Sequence, residues 1–469
     1  MSNTSSIIKS IRDIMRKDTG VDGDAQRISQ MVWMLFMKIF ADKENEWNIS
    51  IKGYENPIPK KYRWQNWANN SSDMQGDNLI EFINLKLFPS LKKLDPNTNE
   101  QAAIVKSVFE DTYNYMKNGS LFRQVVNEIN KINFGSSSES HIFNDIYESI
   151  LKELQSAGSS GEYYTPRAIT QFMVEMVAPQ SGESILDPAC GTGGFLTCSI
   201  DFIRNKKAAN KIIQKGIRGI EKKPLPHLLC TTNLMLHGFD SPLIRRDNLL
   251  SKPYDHWKNK DQVNVILSNP PFGGTEETGT ESNFPAEFRT KETADLFLIL
   301  IVKLLKQNGR AAVVLPDGFL FGDGVRTRIK EELLAQCNLH TIIRLPKGVF
   351  NPYTGIKTNL LFFEKGSPTQ SIWYFEHPYP SGQKNYSKSN PISINEFELE
   401  KKWWNKRVET DYAWKVSIKD IKKRGYNLDI SSPYYGEGDE VITSAELVQR
   451  LEKSIKKSQE ILSTLKLEF

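Results

Sequence analysis

Glu183-Ser-Ile-Leu-Asp-Pro-Ala-Cys-Gly-Thr-Gly-Gly-Phe195 is a short apolar run that halts at Gly191, Gly193 and Gly194, after which an apolar helical pattern resumes. The pattern predicts a strand, a tight turn and a helix start. Glycine suits a turn whose backbone needs positive φ or must approach a ligand, and the exposed N–H groups of a helix start favour negative charge. A lone Gly-x-Gly is also compatible with an ordinary strand-to-helix turn, so the reading depends on what surrounds it.

Asp187 ends the strand just before the glycines. A second strand-like run, Gly216 to Ile220, is followed by Glu221, placed as the acidic residue that accepts ribose hydroxyls in nucleotide-binding folds. It lies 30 residues after Gly191, further than the ~20 of a dinucleotide fingerprint, which disfavours a nicotinamide cofactor. The apolar run Val263 to Leu267 leads into Ser268-Asn269-Pro270-Pro271-Phe272. Consecutive prolines cannot continue a ladder, so the chain turns there. Asn269 and Phe272 are thereby offered at a strand's carboxyl end, where open α/β sheets bind ligands.

Asp-Pro-Ala-Cys-Gly-Thr-Gly-Gly-Phe followed by Asn-Pro-Pro-Phe resembles the paired signature of S-adenosylmethionine-dependent adenine-N6 DNA methyltransferases. Upstream, Gly161-Glu162-Tyr163-Tyr164-Thr165-Pro166-Arg167 resembles the cofactor motif that precedes the glycine turn in one class of these enzymes. From about Asp13 onward the chain resembles the modification subunit of a type I restriction-modification system. The resemblance implies a Rossmann-like methyltransferase sheet, S-adenosylmethionine as cofactor, double-stranded DNA as substrate, a separate specificity subunit serving two copies of this chain, and a restriction/translocase subunit in the full complex. It also implies that Glu162, Tyr163, Tyr164, Thr165, Pro166 and Arg167 close over the methionine end of the cofactor. Asp247, in Arg245-Arg246-Asp247-Asn248, matches the acidic position that contacts the cofactor adenine, although that sequence is also a common surface turn.

Composition bounds the rest. The chain has 469 residues, 39% apolar and 25% charged, which is ordinary globular usage with room for several domains. A net charge of +5 from 61 basic and 56 acidic residues permits nucleic-acid binding without demanding it. Cys190, Cys198, Cys230 and Cys337 lack C-x-x-C spacing and fit free thiols in a reducing compartment. The N-terminus lacks the pattern of a signal peptide, and the run Met31 to Phe40 is about half the ~20 residues needed to span a bilayer. A cytoplasmic protein without membrane contact is expected. The six histidines lack ligand spacing, so no metal is predicted. No P-loop and no zinc-deaminase signature occurs.

Along the chain, residues 1–157 show helical periodicity, as in Ile28, Val32, Leu35 and Phe36, and predict an N-terminal all-α domain. Lys60-Lys61-Tyr62-Arg63-Trp64 mixes cations with aromatics: a phosphate-contacting, base-stacking patch or a solvated basic turn. Clusters at 136–140 and 157–161 bracket a last helix, the second being a hinge candidate. Residues 158–435 alternate strand and helix, with strands expected at Ser184–Leu186, Gly216–Ile220, Val263–Leu267, Ala311–Leu315, Thr341–Arg344, Leu360–Phe363 and Ile372–Phe375. That is a doubly wound, largely parallel sheet with an antiparallel edge. The polar stretch 273–292 has no persistent apolar face and reads as a mobile loop that orders on DNA, or as simple disorder. Residues 344–359 pack turn formers and cations between two strands; Phe350 and Tyr353 are candidates for a second base-stacking face, with core packing the alternative. From 436 to 469 a capping box starts an amphipathic helix. Its seam of Val448, Leu451, Ile455, Ser458, Leu462, Leu465 and Phe469 suits docking onto another chain, or onto the protein's own body.

The residue chemistry fits the resemblance. The exocyclic nitrogen of adenine is a poor nucleophile because its lone pair is delocalised into the ring. Acceptance of its two protons by the Asn269 side-chain oxygen and the Pro270 carbonyl would turn that lone pair towards a methyl donor, with Pro270 and Pro271 fixing the turn. An adenine inside a duplex must be flipped out at a cost of a few kcal/mol, and stacking on Phe272, worth about 1–3 kcal/mol per base, offsets much of that. The backbone around Thr192, Gly193 and Gly194 would cradle the methionine portion of the cofactor. Three other readings stay open: a stand-alone adenine-N6 enzyme reading DNA through its N-terminal helices, a glutamine-N5 protein methyltransferase, and a non-catalytic assembly subunit that keeps the fold.

Overall fold

The computed structural model describes residues 3–69, 74–134, 164–205, 210–273, 276–387 and 389–434. The expected hinge at 157–161, Glu162, Tyr163 and the 436–469 helix lie outside the described residues. Within them is a nine-stranded sheet in the order β3-β2-β1-β4-β5-β7-β6-β8-β9. The strands are β1 Ile185–Asp187, β2 Ile217–Glu221, β3 Leu243–Arg246, β4 Val263–Ser268, β5 Leu305–Pro316, β6 Cys337–Arg344, β7 Thr358–Lys365, β8 Ser371–Glu376 and β9 Ala413–Ser417.

The pairs β1/β2, β2/β3, β1/β4 and β4/β5 are parallel, so the carboxyl ends of these strands form one rim. The apolar runs read as strands are strands, and most are buried on both faces, as continuous Val/Ile/Leu runs in parallel sheets are. The expected antiparallel edge is present as β9, but a second antiparallel strand is internal. β7 lies between β5 and β6 and is antiparallel to both, while the far edge is made by β8 and the antiparallel β9. β3 and β9 escape the sequence reading because Leu-Ile-Arg-Arg and Ala-Trp-Lys-Val-Ser are short, half polar and hydrogen-bonded on one side only.

Two apolar layers cover the sheet. On one face the helix Thr293–Leu304, apolar all round and almost wholly buried, packs with the helix Val325–Gln336 over Ile266, Val313, Leu315 and Leu361. On the other, the helices Arg167–Val177 and Gly194–Arg204 cover Val265, Leu267, Val314 and Leu360. Arg310 on β5 staples the start of β1: its guanidinium meets both oxygens of Glu183 at 2.7 and 2.8 Å and also the carbonyls of Val177 and Ala178. Such a bidentate pair fixes direction as well as distance.

The N-terminal residues are helical as expected, with the Gly23–Ser50 helix at the centre. Trp33, fully buried, meets Phe88, Phe109 and Phe122 at 5.0–6.2 Å. This core does not stop at the helical region. Leu228, Leu229 and Met235, from the helix Pro224–Leu236 that follows β2, belong to it. Trp47 Nε1 donates to Asp240 at 2.7 Å, Lys43 pairs with the same carboxylate at 3.4 Å, and Arg246 pairs with Asp111.

Candidate functional site at the carboxyl rim of the sheet

The glycine turn is built by backbone conformation. Gly191 has φ +53° and Gly193 φ +86°, the latter capping the Gly194–Arg204 helix. A side chain at Gly193 would meet Cys230 Sγ at 2.8 Å, whereas nothing stands within 4 Å of a Cβ placed on Gly191. One glycine is therefore required by packing as well as by φ, and the other leaves an open approach to its backbone. Asn233 steadies the turn by donating to the Thr192 carbonyl at 3.4 Å.

Glu221, ending β2, works on the turn itself. One carboxylate oxygen accepts from Gly191 N–H at 2.9 Å and the other from Lys223 N–H at 2.8 Å. A carboxylate retains acceptor capacity beyond two hydrogen bonds, so a ribose remains within its chemistry. Asp247 lies beside it, its N–H bonded to the Glu221 carbonyl at 3.1 Å. The Asp247 carboxylate is engaged by Lys252 and, at 3.3 Å, by Arg245.

Asp187 is 1% exposed and joins β1 to β4, accepting from Ser268 Oγ at 2.8 Å and from Ala189 N–H at 3.1 Å. Burial pushes its carboxyl up to about 7 against the pull of those two hydrogen bonds, and the nearby Glu221 charge adds to the rise. Beneath the turn the Cys190 thiol, free but hydrogen-bonded to the Cys230 thiol and buried, is held well above its ordinary value.

One residue after Ser268, Asn269 leaves β4. Its Nδ2 donates to Thr165 Oγ1 at 2.9 Å, while its Oδ1 is buried and has no hydrogen-bond partner. A buried acceptor without a donor is costly unless a ligand supplies one. Thr165 thus brings the segment upstream of the glycine turn onto the catalytic candidate. The Arg167–Val177 helix opens directly after it at Pro166, whose carbonyl accepts from the N–H groups of Ile169 and Thr170. Arg167 reaches back to Thr197 Oγ1 at 3.4 Å, and Tyr164 packs against the N-terminal core. Pro270 is buried and Pro271 half-buried. Phe272, 8% exposed, meets the buried Phe350 edge to face at 5.8 Å; Tyr353 is half-buried, and its N–H donates to the Phe350 carbonyl at 2.9 Å.

Of the two readings of the stretch from Lys60, the basic turn holds: Lys60 and Lys61 are exposed, Arg63 pairs with Glu44 at 3.2 Å, Trp64 is buried with its Nε1 on Asn130, and Tyr62 packs on Phe82. One sequence expectation changes. The polar stretch after Gly273 is folded over 276–292 into short 3-10 turns pinned by the buried Phe284 and Phe288. Glu276 ties it to the rim by accepting from Lys222 and Asn248, both at 2.9 Å. The two phenylalanines, four residues apart, were the available signal. Ser268, which opens the Asn-Pro-Pro-Phe turn, bonds to Asp187, which is why a small hydroxyl stands there. Among the described residues no group of side chains is arranged to hold a metal ion, and no helix is long and apolar enough to cross a membrane.

A parallel sheet extended by an antiparallel strand between its last parallel neighbours, with a glycine turn, an acidic strand end and an Asn-Pro-Pro-Phe turn on one rim, defines an α/β methyltransferase fold. The chain belongs to the N-6 DNA methylase family, whose model matches residues 138–440; the model of the HsdM N-terminal domain matches residues 4–129. Over 447 residues it is 57% identical to the methylase subunit of the type I restriction enzyme EcoEI from Escherichia coli, covering 92% of this chain and 91% of that protein. A Vibrio vulnificus chain described as a modification subunit of a putative type I restriction enzyme superposes with a TM-score of 0.83 at 43% identity, covering 92% of this chain and 96% of the other. A chain from a structural study of complex assembly and conformational transition in the type I R-M system gives a TM-score of 0.81 at 33% identity, covering 99% and 97%.

Proposed function

We propose that this chain is the catalytic, methyl-transferring subunit of a type I restriction-modification complex, acting in the cytoplasm on an adenine flipped out of double-stranded DNA, with sequence recognition supplied by a separate specificity subunit that holds two copies of this chain. A restriction/translocase subunit completes the assembly. Its cofactor is S-adenosylmethionine, which supplies an electrophilic sulfonium methyl. The residues fit such a group: Gly191 leaves its backbone open, the helix start at Gly194 favours a carboxylate, and Glu221 offers acceptors at the end of β2.

The observation that carries the reading is the buried, partnerless Oδ1 of Asn269 on the same rim as the glycine turn. Thr165 takes the Asn269 amide N–H, which fixes the side chain and leaves its oxygen for a ligand donor. Asn269 Oδ1 and the Pro270 carbonyl then accept the two amino protons of the adenine, localising the nitrogen lone pair towards the methyl. An amide oxygen is not a base, so the proton leaves to solvent after transfer. Phe272, backed by Phe350, gives the base a ring to stack on. Glu162, Tyr163, Tyr164 and Arg167 close the methionine end, and Asp247 the adenine end, of the cofactor. The test is transfer of labelled methyl to duplex DNA by the chain alone and with its specificity subunit. Activity only in the mixture is expected; activity of the isolated chain at the same sites would favour a stand-alone enzyme.

A further inference from the structure

Phe321 is 54% exposed, yet it stands on one of the most firmly held turns of the molecule. It ends the short helix Asp317–Phe321, which leaves β5 at the rim. The carbonyls on either side of it, Leu320 O and Gly322 O, are both clamped by the ammonium of Lys330, at 3.0 and 2.7 Å, and Lys330 is fully buried. Leu428 N–H also donates to Leu320 O at 2.9 Å. Arg326, paired with the buried Asp295 at 2.8 Å, holds Gly318 O at 3.4 Å. Burying an ammonium is costly unless its protons are satisfied, and here it is spent on fixing a turn whose outward side chain is a phenylalanine.

The position of the turn gives it a use. Ser268 on β4 is in register with Val313 on β5. β5 runs on to Pro316, so its end stands roughly 10 Å beyond the Ser268 level, at about 3.3 Å per residue. The turn is joined through Asp317 N–H to the Lys357 carbonyl at 2.9 Å. Next to Lys357 is a second large apolar side chain in solvent, Ile356 at 55% exposure. Arg328 and Lys347 are exposed, as are the acids Asp323 and Glu292, the latter paired with Arg326 at 2.8 Å. We propose that Phe321 is a wedge for duplex DNA: it enters the base stack beside the target adenine and occupies the space that the extruded base leaves, with Ile356 as its companion lip. Apolar side chains inserted between base steps are a general means of unstacking a duplex. The proposal rests on the reading of the chain as a methyltransferase that flips adenine.

The experiment uses the full chain assembled with its specificity subunit. The probes are two duplexes carrying the methylated site found by sequencing the source DNA: one fully matched, the other with an abasic residue opposite the target adenine. Phe321→Ala is expected to lower methylation of the matched duplex about tenfold to a hundredfold, the range that loss of one stacking contact implies. On the abasic duplex it should stay within about threefold of the wild type, and Phe321→Trp should retain activity on both. A 2-aminopurine at the target position should lose its fluorescence rise with Phe321→Ala on the matched duplex only. Equal loss on both duplexes, no loss on either, or failure of the variant to assemble with its partner subunit would each overturn the wedge. Failure of the wild-type complex to methylate either duplex would instead overturn the methyltransferase reading itself.

Discussion

Replacing Gly193 by alanine tests the turn on which the cofactor site depends, and the structure separates its cost into two parts. The first is conformational. At φ +86° an L-residue pays about 1–2 kcal/mol for the left-handed region. The second is steric. The new methyl would stand 2.8 Å from Cys230 Sγ and 3.4 Å from Leu234 Cδ1, and Cys230 is fully buried on the Pro224–Leu236 helix, so it cannot swing into solvent. Overpacking of this kind costs roughly 1–3 kcal/mol. Gly193→Ala should therefore destabilise the chain by ~2–5 kcal/mol in urea denaturation. Cys230→Ala removes the colliding sulfur but leaves the backbone strain. In the double variant the steric part should disappear, giving a coupling of roughly 1–3 kcal/mol in a double-mutant cycle and a residual deficit of about 1–2 kcal/mol. Calorimetry should show S-adenosylmethionine binding lost in Gly193→Ala and partly regained in the double variant. Strictly additive costs would refute the collision, and a Gly193→Ala chain as stable as the parent would refute the turn geometry altogether.

Asp187 predicts a pH dependence. Its folded value of about 7 lies above the ordinary 3.8, so its contribution to stability is fully present below about pH 4 and is lost as pH rises towards 7, by ~4 kcal/mol at most at about 1.36 kcal/mol per unit. Asp187→Asn keeps an acceptor for Ser268 Oγ and should remove that slope, leaving the variant the more stable chain at about pH 8; parallel stability curves for the two from about pH 4 to 8 would sink the claim. Glu221→Gln sets an amide NH2 against one of two backbone N–H donors, and calorimetry should show about tenfold weaker S-adenosylmethionine binding with the fold intact; unchanged affinity would remove Glu221 from the site. Trp47→Phe deletes the hydrogen bond to Asp240 across the helical and sheet regions, at a cost of roughly 1–2 kcal/mol given the partly exposed carboxylate. A loss absent from Asp240→Ala as background, which has no side-chain acceptor for the indole, but present in the parent, is the expected pattern in denaturation, and equal losses in both backgrounds would contradict it.

The sheet and the rim were legible because each depended on local, strongly patterned sequence. Buried parallel strands such as Val263–Ser268 are unbroken apolar runs, and Gly191, Gly193 and the double proline at 270–271 punctuate the chain where backbone geometry leaves little choice. The parts that were not legible are set by distant partners. β3 is a strand because Arg218 to Glu221 offer it a ladder, a fact absent from Leu-Ile-Arg-Arg itself. β7 sits between β5 and β6 because its Leu360–Phe363 run is buried on both faces, which an edge strand would not be. Lys60 to Trp64 fits a nucleic-acid patch and a basic turn equally in composition; Glu44 and Asn130, distant in sequence, claim Arg63 and the Trp64 indole and leave Lys60 and Lys61 exposed. The stretch 276–292 looked structureless because two aromatic anchors among many polar residues give no periodicity. In the site, Thr165 was attached to the cofactor by resemblance, and its hydrogen bond to Asn269 arises only when segments far apart in the chain meet.

The central claim is that the glycine turn and the Asn269 amide face one cavity and divide the work, the first holding the methyl donor and the second presenting the nucleophile. Its most direct test is labelled-methyl transfer to N6 of adenine in duplex DNA by the complex containing Asn269→Ala, with S-adenosylmethionine affinity measured on the same preparation. The account predicts methylation reduced by at least about a hundredfold, the scale set by loss of one preorganised catalytic contact, with cofactor affinity within about threefold of the parent. Methylation that survives the substitution, or cofactor binding that falls with it in equal measure, would contradict it.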